Sequence, residues 1–511
     1  MKKYLFLFLT SLLILISVII TSKAEAQPYP GYTLYTASGT RTNLIDLQNN
    51  VVKFWTHTRS GGYSVYLLRN GDLMRPALST NSNINGGGAA GIVQKYSWNG
   101  TLLWEYTYSS NTYRTHHDIC PMPNGNVLLI AWEVKTAAEA VAAGLNHSAV
   151  IWPDHIIEVQ PSGTNGGTIV WKWHFWDHLI QDHDPTKANY GVVANHPELL
   201  DINVGSAGSG DWMHINGISY NEALDQIVIS SHELDEVYVI DHSTTTAEAA
   251  GHTGGRYGKG GDILYRWGRP SNYRAPGSQV FNVVHSSTWV PDSVPGGGHI
   301  MAFNNREGTN ASHVVEIVPP TDSAGFYSYT PGTAYGPAAP YWSYAASGFY
   351  STHLGGCQRL PNGNTMLAES TDRKLWEVDS SGTVVWNYSP GVEVVRVLRY
   401  GFDYPGLVGV AGTESEVPDN FELSQNYPNP FNPTTKIDYS LPKSGNVTIK
   451  VYDILGNEIR TLVNNVKQDA GRHTALWDAK DNNKTSVSSG VYFYKMITGD
   501  FSKTMRMILT K

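Results

Sequence analysis

Residues 374–386, K-L-W-E-V-D-S-S-G-T-V-V-W, place a strand-like run before an S-S-G turn and an apolar run that ends in tryptophan after it. This pattern predicts two short antiparallel strands joined as a hairpin that ends at Trp386. Residues 156–171, I-I-E-V-Q-P-S-G-T-N-G-G-T-I-V-W, repeat the pattern and end at Trp171. The chain is therefore expected to contain a recurring hairpin unit that closes on a tryptophan.

Further segments end in the same way, each a turn followed by an apolar run and a tryptophan: Trp55, Trp104 and Trp267. The five tryptophans are spaced by 49, 67, 96 and 119 residues, so the two long gaps are each expected to hide a unit whose tag is degenerate. Repeated hairpins with little helical periodicity are typical of a β-propeller. Six or seven blades fit, and an all-β, six-bladed propeller is predicted, with the tryptophans packed between blades. Residues 136–144 are the one stretch rich in good helix formers.

The ends of the chain differ from this repeat. Residues 1–26 have a basic start, a long apolar run and the small-residue pattern Ala24-Glu25-Ala26, which predicts a cleaved signal peptide; a retained membrane anchor is the alternative. The propeller is assigned to 27–410. A polar linker spans 411–420, and 421–511 carry several short alternating strands that predict a small antiparallel, Ig-like β-sandwich.

Composition excludes several classes of protein. The formal net charge is −8 and only 16% of residues are charged, so no basic surface for nucleic acid is expected. Two cysteines, Cys120 and Cys357, rule out a disulfide-rich scaffold, and whether they pair is open. No stretch after residue 26 is long and apolar enough for a stable membrane span, so the mature protein is expected to be exported and soluble.

Polar residues beside predicted strands are the candidate site. His116-His117-Asp118 lead into a strand, His214 and Asn216 are two apart in D-W-M-H-I-N-G-I-S-Y, and His232 and His285 stand at strand edges. The period of two along a strand predicts that His214 and Asn216 share one face. Spacing alone leaves two interpretations, isolated structural histidines or a group that converges on the propeller channel.

The tail resembles the C-terminal sorting domain of type IX secretion cargo. The resemblance rests on Y-P-N-P-F-N-P, V-Y-D-I-L-G-N-E-I, S-S-G-V-Y-F-Y-K and the basic end K-T-M-R-M-I-L-T-K. It implies transit through the periplasm, recognition by the type IX machinery, delivery to the cell surface or medium, and removal of the tail.

Residues 40–390 resemble the bacterial arylsulfate sulfotransferases, six-bladed propellers that move sulfuryl groups between phenols. The matching segments include Y-R-T-H-H-D-I, D-W-M-H-I-N-G-I-S-Y, S-S-H-E-L-D-E-V-Y-V-I-D-H-S-T-T, G-G-D-I-L-Y-R-W-G and V-V-H-S-S-T-W-V-P. The resemblance implies an aryl sulfate donor, a phenolic acceptor and a sulfo-histidine intermediate, without a nucleotide, metal or other cofactor.

The resemblance assigns roles to particular residues. His285 is the expected nucleophile, and His117, His214 and Asn216 are its supporting residues; His117 is preferred to His116 because the family's histidine directly precedes an aspartate. His232 stands where several members have arginine, which makes sulfate binding depend on pH, and Val284 stands where glutamine is usual. Thr288, His353 and Thr371 are further candidates for lining the channel.

His214, Asn216 and His232 are expected to donate hydrogen bonds to the oxygens of the sulfuryl group. The general acid–base is either His117 or His214, and the sequence does not choose between them. The alternatives are a secreted propeller that binds without catalysis or acts on another substrate, a zinc or copper site, and a quinoprotein-like propeller.

Overall fold

The structure of the protein, a computed structural model, describes residues 27–36, 39–81, 83–205, 210–306, 308–408 and 420–510. It divides into two compact units between Leu407 and Val408. The predicted signal peptide, 1–26, lies outside the described residues, as does the predicted linker 411–420 apart from Asn420. The all-β prediction is confirmed, since 44% of the chain is strand and 5% is helix.

Short strands make up the first half of the first unit. The strands of the first three sheets are β1 Gly31–Thr36, β2 Arg41–Ile45, β3 Val51–Thr56, β4 Tyr66–Leu67, β5 Leu73–Leu78, β6 Gly91–Tyr96, β7 Leu102–Thr107, β8 Tyr113–Pro121, β9 Val127–Glu133, β10 Asp154–Ser162 and β11 Gly166–His174. The short strands β12 Leu179–Ile180 and β13 Leu200–Asp201 follow and pair in parallel. β4–β7 form one antiparallel sheet and β8–β11 form the next.

The second half repeats this order. Its strands are β14 Ile215–Asn221, β15 Gln226–Ser231, β16 Glu236–Asp241, β17 Tyr265–Trp267, β18 Val284–Trp289, β19 Ile300–Asn304, β20 His313–Ile317, β21 Trp342–Tyr344, β22 Gly356–Arg359, β23 Thr365–Glu369, β24 Lys374–Val378, β25 Val384–Tyr388 and β26 Val397–Gly401. β14–β17, β18–β21 and β22–β25 are three more antiparallel sheets, while β26 pairs with β1 and completes the first sheet. Within the described residues the first unit thus holds six four-stranded sheets.

Consecutive sheets pack against one another through the first strands β8, β14, β18 and β22, through β5, the second strand of its sheet, and through β26, the strand that begins the order of the first sheet. β8 contacts β5, β14 contacts β8, β18 contacts β14, β22 contacts β18, and β26 contacts β22. Their side chains are almost wholly buried, as in Val284, His285 and Ser287 of β18. Residues at the start of these strands are therefore brought together although they are far apart in sequence.

A tryptophan in the last strand of each sheet links that sheet to the next one. Each indole N–H donates to the connection between the third and fourth strands of the following sheet: Trp55 to Ser97 O (3.2 Å), Trp104 to Gly166 O (2.8 Å), Trp171 to Thr244 Oγ1 (3.1 Å), Trp267 to Pro337 O (2.7 Å), Trp342 to Ser380 O (3.3 Å) and Trp386 to Leu47 O (3.0 Å). The predicted packing of the tryptophans between repeated units is confirmed.

The expectation for the two long tryptophan gaps is half wrong. The gap from Trp267 to Trp386 does hold another sheet, β18–β21, with Trp342 in its last strand. The gap from Trp171 to Trp267 instead contains an insertion, whose described residues hold β12, β13 and the 3₁₀ turns Phe175–His178 and Val193–Asn195. A long insertion lengthens the spacing as much as an untagged sheet does.

Helices are short. The predicted helix at 136–144 is observed as α1 Ala137–Ala142, where Thr136 caps the first turn and Glu139 returns a hydrogen bond. α2 Thr246–Ala249 and α3 Pro405–Val408 are single turns, and Pro270–Tyr273 is a third 3₁₀ turn. In the described part of the chain, no helix has the length and apolar character needed to cross a membrane.

The second unit contains two antiparallel sheets. Its strands are β27 Glu422–Leu423, β28 Thr435–Leu441, β29 Gly445–Tyr452, β30 Glu458–Gln468, β31 Gly471–Trp477, β32 Gly490–Thr498 and β33 Phe501–Leu509. The sheet orders are β27-β28-β31 and β30-β29-β32-β33. Alternating residues Val447, Ile449 and Val451 of β29 are buried with Ile437 and Trp477 of the other sheet. The predicted alternating strand is thus confirmed, and the core lies between the sheets.

Candidate active site

Four histidines predicted from the sequence lie side by side. The ring centroids are 4.5 Å apart for His117 and His214, 4.8 Å for His214 and His232, and 5.4 Å for His232 and His285. They come from β8, from the residues flanking β14 and β15, and from β18. The structure therefore brings together side chains from three consecutive sheets in one row.

Irregular backbone aims these side chains. His117, His214 and Ser286 have φ values of 51°, 53° and 52°, in the left-handed region that residues other than glycine seldom adopt. The strand pairing is also interrupted at each place, between Thr115 and Ile119, after Ile215, and between His285 and Thr288. Such bulges redirect side chains and are common beside functional sites.

The expected strand alternation at His214 and Asn216 is wrong. β14 begins only at Ile215, and the bulge follows directly, so a period of two does not relate these residues. Asn216 is anchored instead: its Nδ2 donates to Val284 O (2.7 Å), and its Oδ1 accepts from Ser230 Oγ (2.7 Å) and Ser286 N (3.3 Å). One amide hydrogen stays outside these bonds. Asn216 thus ties β14 to the residues flanking His285.

His285 is held in one tautomer by Asn305. Asn305 Nδ2 donates to the carbonyls of Ser351 (2.8 Å) and Leu354 (2.5 Å), which turns its Oδ1 toward His285 Nδ1 at 2.7 Å. An oxygen acceptor requires a proton on Nδ1, so the lone pair of the neutral ring is on Nε2. Burial, followed by the neighbouring His232 and His214, holds the pKa of His285 well below its ordinary value.

His214 is paired with a carboxylate that the sequence did not single out. Its Nδ1 lies 2.7 Å from Asp211 Oδ2, while Asp211 Oδ1 accepts from Trp132 Nε1 at 2.8 Å. Burial lowers the pKa of His214, but the hydrogen bond to Asp211 outweighs it and the net pKa is raised. His214 is therefore better able than His285 to carry a positive charge.

A second histidine and a second carboxylate stand behind His117. His116 Nδ1 lies 2.9 Å from His117 Nδ1, and His116 Nε2 lies 2.6 Å from Asp154 Oδ1. The His116 ring stacks on Trp132 with centroids 3.9 Å apart. Burial holds the pKa of His117 well below its ordinary value and lowers that of His116 to about 3. Both rings are therefore neutral at physiological pH.

A run of glycines packs against His117 and His214, and the sequence interpretation missed this signal. A Cβ on Gly88 would lie 2.3 Å from the His117 ring, and one on Gly87 would lie 3.2 Å from His214 Cε1. The segment N-G-G-G, residues 85–88, can thus approach the imidazoles only because it has no side chains there. A glycine triplet outside a tight hairpin would have marked this close approach.

The other candidates from the sequence are His232, which lies in the histidine row, and the possible channel-lining residues His353, Thr371 and Thr288. His232 Nδ1 lies 3.0 Å from Glu233 Oε1 without hydrogen-bonding geometry. His353 is exposed, yet its charge contributes to lowering the pKa of His285. Thr371 Oγ1 bonds Ser351 Oγ at 3.3 Å, while Thr288 Oγ1 bonds its neighbour's carbonyl, Trp289 O, at 3.2 Å.

Two other clusters of histidines and carboxylates occur among the described residues, outside this row. His155 and His174 lie beside Glu133, but their rings are stacked 5° from parallel, so their in-plane lone pairs do not converge on one ion. In the second cluster, both His178 nitrogens already face oxygens, those of Asp262 (2.8 Å) and Ala249 (2.9 Å). Cys120 and Cys357 are both free thiols.

Comparison with known proteins identifies both parts of the chain. Residues 78–388 match the family model described as Arylsulfotransferase (ASST), and residues 425–510 match the Secretion system C-terminal sorting domain. No curated protein matches the chain. The match over 78–388 covers more than half of the sequence, so the chain belongs to the arylsulfotransferase family, and its tail is a type IX secretion sorting domain. That tail indicates export to the cell surface or the medium.

Solved structures similar to the chain share little sequence with it. A protein of unknown function from Bacteroides caccae is 13% identical, with 72% of this chain and 98% of that chain covered and a TM-score of 0.41. The Dos1 propeller is 9% identical, with 90% and 96% covered and a TM-score of 0.30. A luciferin-regenerating enzyme is 9% identical, with 75% and 94% covered and a TM-score of 0.31.

Proposed function

We propose that the protein is an arylsulfate sulfotransferase that moves a sulfuryl group from a phenolic sulfate ester to a phenol through a sulfo-histidine at His285. The observation that carries the proposal is the bond from His285 Nδ1 to Asn305 Oδ1, which leaves a lone pair on Nε2 of a neutral, buried imidazole. A nucleophilic histidine needs that lone pair at neutral pH. Family membership supplies the substrate class.

The reaction runs in two displacements at sulfur. In the first, His285 Nε2 forms an N–S bond while the bond from sulfur to the aryl oxygen breaks, and the phenol leaves after taking a proton. In the second, the acceptor phenol loses its proton, its oxygen attacks sulfur, and the N–S bond breaks. Both steps resemble phosphoryl transfer, in which charge on the peripheral oxygens must be stabilised. No nucleotide, metal or other cofactor enters the scheme.

Residues adjoining His285 supply that stabilisation. His214, whose pKa is raised, donates as an imidazolium, and the remaining amide hydrogen of Asn216 donates from the strand that contacts β18. His232 is the third donor, between the rings of His214 and His285. Removing one such donor from a water-poor site costs about 3 to 4 kcal/mol of transition-state stabilisation.

Two departures from the family pattern bear on activity. His232 replaces an arginine, so an imidazole stands where the family has a planar, permanently cationic donor with five N–H groups. Val284 replaces a glutamine, but its side chain is fully buried and its carbonyl accepts the Asn216 hydrogen bond. The backbone before the nucleophile is therefore still anchored. These departures also favour a second candidate, a propeller that acts on another substrate or only binds one.

We infer that the six sheets of the first unit are the blades of a six-bladed propeller. The support is the cycle of indole bonds, in which the last sheet reaches Leu47 of the first, together with the pairing of β26 with β1. The first strands then surround the central channel, with His285 and its neighbours at one mouth. We assign the second unit as an Ig-like sandwich because two antiparallel sheets share its core.

Export follows two signals in this proposal. Residues 1–26 direct the chain to the periplasm and are cleaved, and the type IX machinery recognises 421–511 and removes it at the surface. The enzyme then works outside the cell on aryl sulfates and phenols.

A nitrophenyl sulfate assay tests the function. Purified protein is incubated with the ester, with and without phenol, and released nitrophenol and phenyl sulfate are measured. Nitrophenol release that depends on phenol supports a transferase; release with water alone indicates a sulfatase, and no release favours the binding propeller. His285→Ala is the inactive reference, and His147→Gln, an exposed histidine in a loop, is the matched control.

A further inference from the structure

Building on the proposed function, we propose that Asp154, His116 and His117 form a proton relay that makes His117 Nε2 the general acid–base of the transfer. In this relay, His116 and Asp154, which lie behind the histidine row, pass protons to and from His117. The relay also decides between His117 and His214 as the general acid–base.

The three groups are joined by short contacts in a buried line. Asp154 Oδ1 lies 2.6 Å from His116 Nε2, and the opposite nitrogen of the same ring lies 2.9 Å from His117 Nδ1. The side chains of His116 and Asp154 are 0% and 1% exposed. The second carboxylate oxygen of Asp154 accepts from Ile215 N at 3.2 Å. Both nitrogens of His116 and Nδ1 of His117 each face one partner, so His117 Nε2 is the nitrogen at the open end of the line.

Two arrangements of protons satisfy the same contacts. In the first, Asp154 is a carboxylate, His116 carries its proton on Nε2, His117 carries its proton on Nδ1, and His117 Nε2 has a lone pair. In the second, Asp154 is a carboxylic acid, His116 is protonated on Nδ1, and His117 is protonated on Nε2. The second arrangement contains one proton more than the first.

Conversion between the two is a balanced acid–base step. When the acceptor phenol gives a proton to His117 Nε2, the Nδ1 proton of His117 moves to His116 Nδ1, and the Nε2 proton of His116 moves to Asp154. The reverse sequence delivers a proton from His117 Nε2 to the departing phenolate. One proton is gained in one half-reaction and lost in the other, so each turnover restores the first arrangement.

Burial explains why the relay is needed. An isolated His117 imidazolium is disfavoured, because burial and the adjacent histidines hold its pKa well below the ordinary value. Burial, reinforced by Asp211, also raises the pKa of Asp154 well above its ordinary value. A proton taken up at His117 therefore ends on a carboxylate that favours it, and no positive charge is left in the buried line.

His214 is less suited to this shuttle. It sits on Asp211 at 2.7 Å, and its raised pKa keeps the proton on the ring. His214 therefore stays protonated through the reaction and donates to the sulfuryl oxygens as a cation. The charged and titratable groups that surround the relay are Asp211, His214, His232, His285, Arg114, Glu133 and His155.

Leaving-group dependence tests the relay. A poor leaving phenol needs a proton in the transition state, whereas nitrophenolate needs little help. We expect His116→Phe, which keeps the stack on Trp132, and Asp154→Asn to slow turnover of phenyl sulfate by at least about 100-fold. Release of nitrophenol from nitrophenyl sulfate in a single turnover without acceptor, which follows only the first displacement, should fall far less than the same step with phenyl sulfate. Exposed His252→Asn is the control and should match the parent.

The outcomes separate the relay from the function it rests on. If the parent transfers sulfate and His285→Ala does not, but both relay variants lower the two donors' rates equally, the relay is wrong and the nucleophile stands. If the parent shows no transfer, the proposed function is wrong. Should either relay variant misfold, the rate of the parent is measured in mixtures of light and heavy water and plotted against the deuterium fraction. A curved plot supports the transfer of several protons in the rate-limiting step, and a straight line contradicts the relay.

Discussion

Asn305 Oδ1 lies 2.7 Å from His285 Nδ1, and two backbone carbonyls fix the orientation of the Asn305 amide. The side chain of Asn305, directly after β19, thus sets the tautomer of the proposed nucleophile in β18. The function of the site depends on this pair as much as on the histidine itself, because a proton on Nε2 would abolish the lone pair.

Replacing Asn305 is expected to affect catalysis in two distinguishable ways. Asn305→Leu removes the acceptor and should lower kcat on the order of 100-fold, with KM changing less. Asn305→Asp keeps an acceptor but places a carboxylate beside His285, which raises its pKa. The Asp variant should therefore recover activity as the pH rises. Equal, pH-independent losses in both variants would show that Asn305 only supports packing.

Asn216 is expected to contribute to stability as well as to catalysis. Asn216→Ala leaves the Val284 carbonyl, the Ser230 hydroxyl and the Ser286 N–H without their partner. The free energy of unfolding should fall by about 1 to 3 kcal/mol, measured by denaturant titration. Exposed Asn146→Ala should change it by less than about 0.5 kcal/mol. A stable Asn216→Ala variant would argue against the anchoring role.

The pH dependence of transfer should respond to Asp211. Because the pKa of His214 is raised, His214 is cationic below that pKa, and the rate should decline as the pH rises through it. Asp211→Asn removes the carboxylate, lowers the pKa of His214, and should move this decline to lower pH. Rate profiles of both proteins over the same pH range measure the effect. An unmoved profile would mean that His214 does not act as a cation.

His242 is expected to make the stability of the first unit depend on pH. It bridges Asp225 (2.7 Å) and Glu158 (3.1 Å), joining two neighbouring sheets. Burial lowers its pKa, but the two carboxylates outweigh this and raise it from 6.5 to about 9. A raised pKa stabilises the fold fully below the unfolded value, and this contribution, at most about 3 kcal/mol, is lost as the pH rises through about 9.

Unfolding of the parent and of His242→Gln at several pH values checks this expectation. The difference in unfolding free energy between the two should be large near pH 6 and should shrink toward alkaline pH. A difference that stays constant across the range would contradict the ion-pair account.

The all-β class was predictable because its signals are local. Each hairpin carries its own turn and apolar run, and the tryptophans mark last strands such as β25, which ends just after Trp386. The spacing from Trp171 to Trp267 misled the prediction because a long insertion and a missing tag look the same in one dimension.

The site was predictable only in part. His117, His214, His232 and His285 stand beside strands and were found from their motifs. Their orienting partners were not found, because the sequence separations are long or carry no pattern: Asn305 is 20 residues from His285, and Asp154 is 38 residues from His116. The left-handed φ at His214 also defeated a prediction based on regular alternation.

A covalent sulfuryl group on His285 is the central requirement of the proposed mechanism. The protein should be mixed with an aryl sulfate in the absence of acceptor, quenched at alkaline pH, and mapped by peptide mass spectrometry. We predict one added sulfuryl group on the peptide containing His285, lost on addition of phenol and absent from His285→Ala. Sulfuryl transfer that proceeds with no label on His285, or with a label on another residue, would contradict the account.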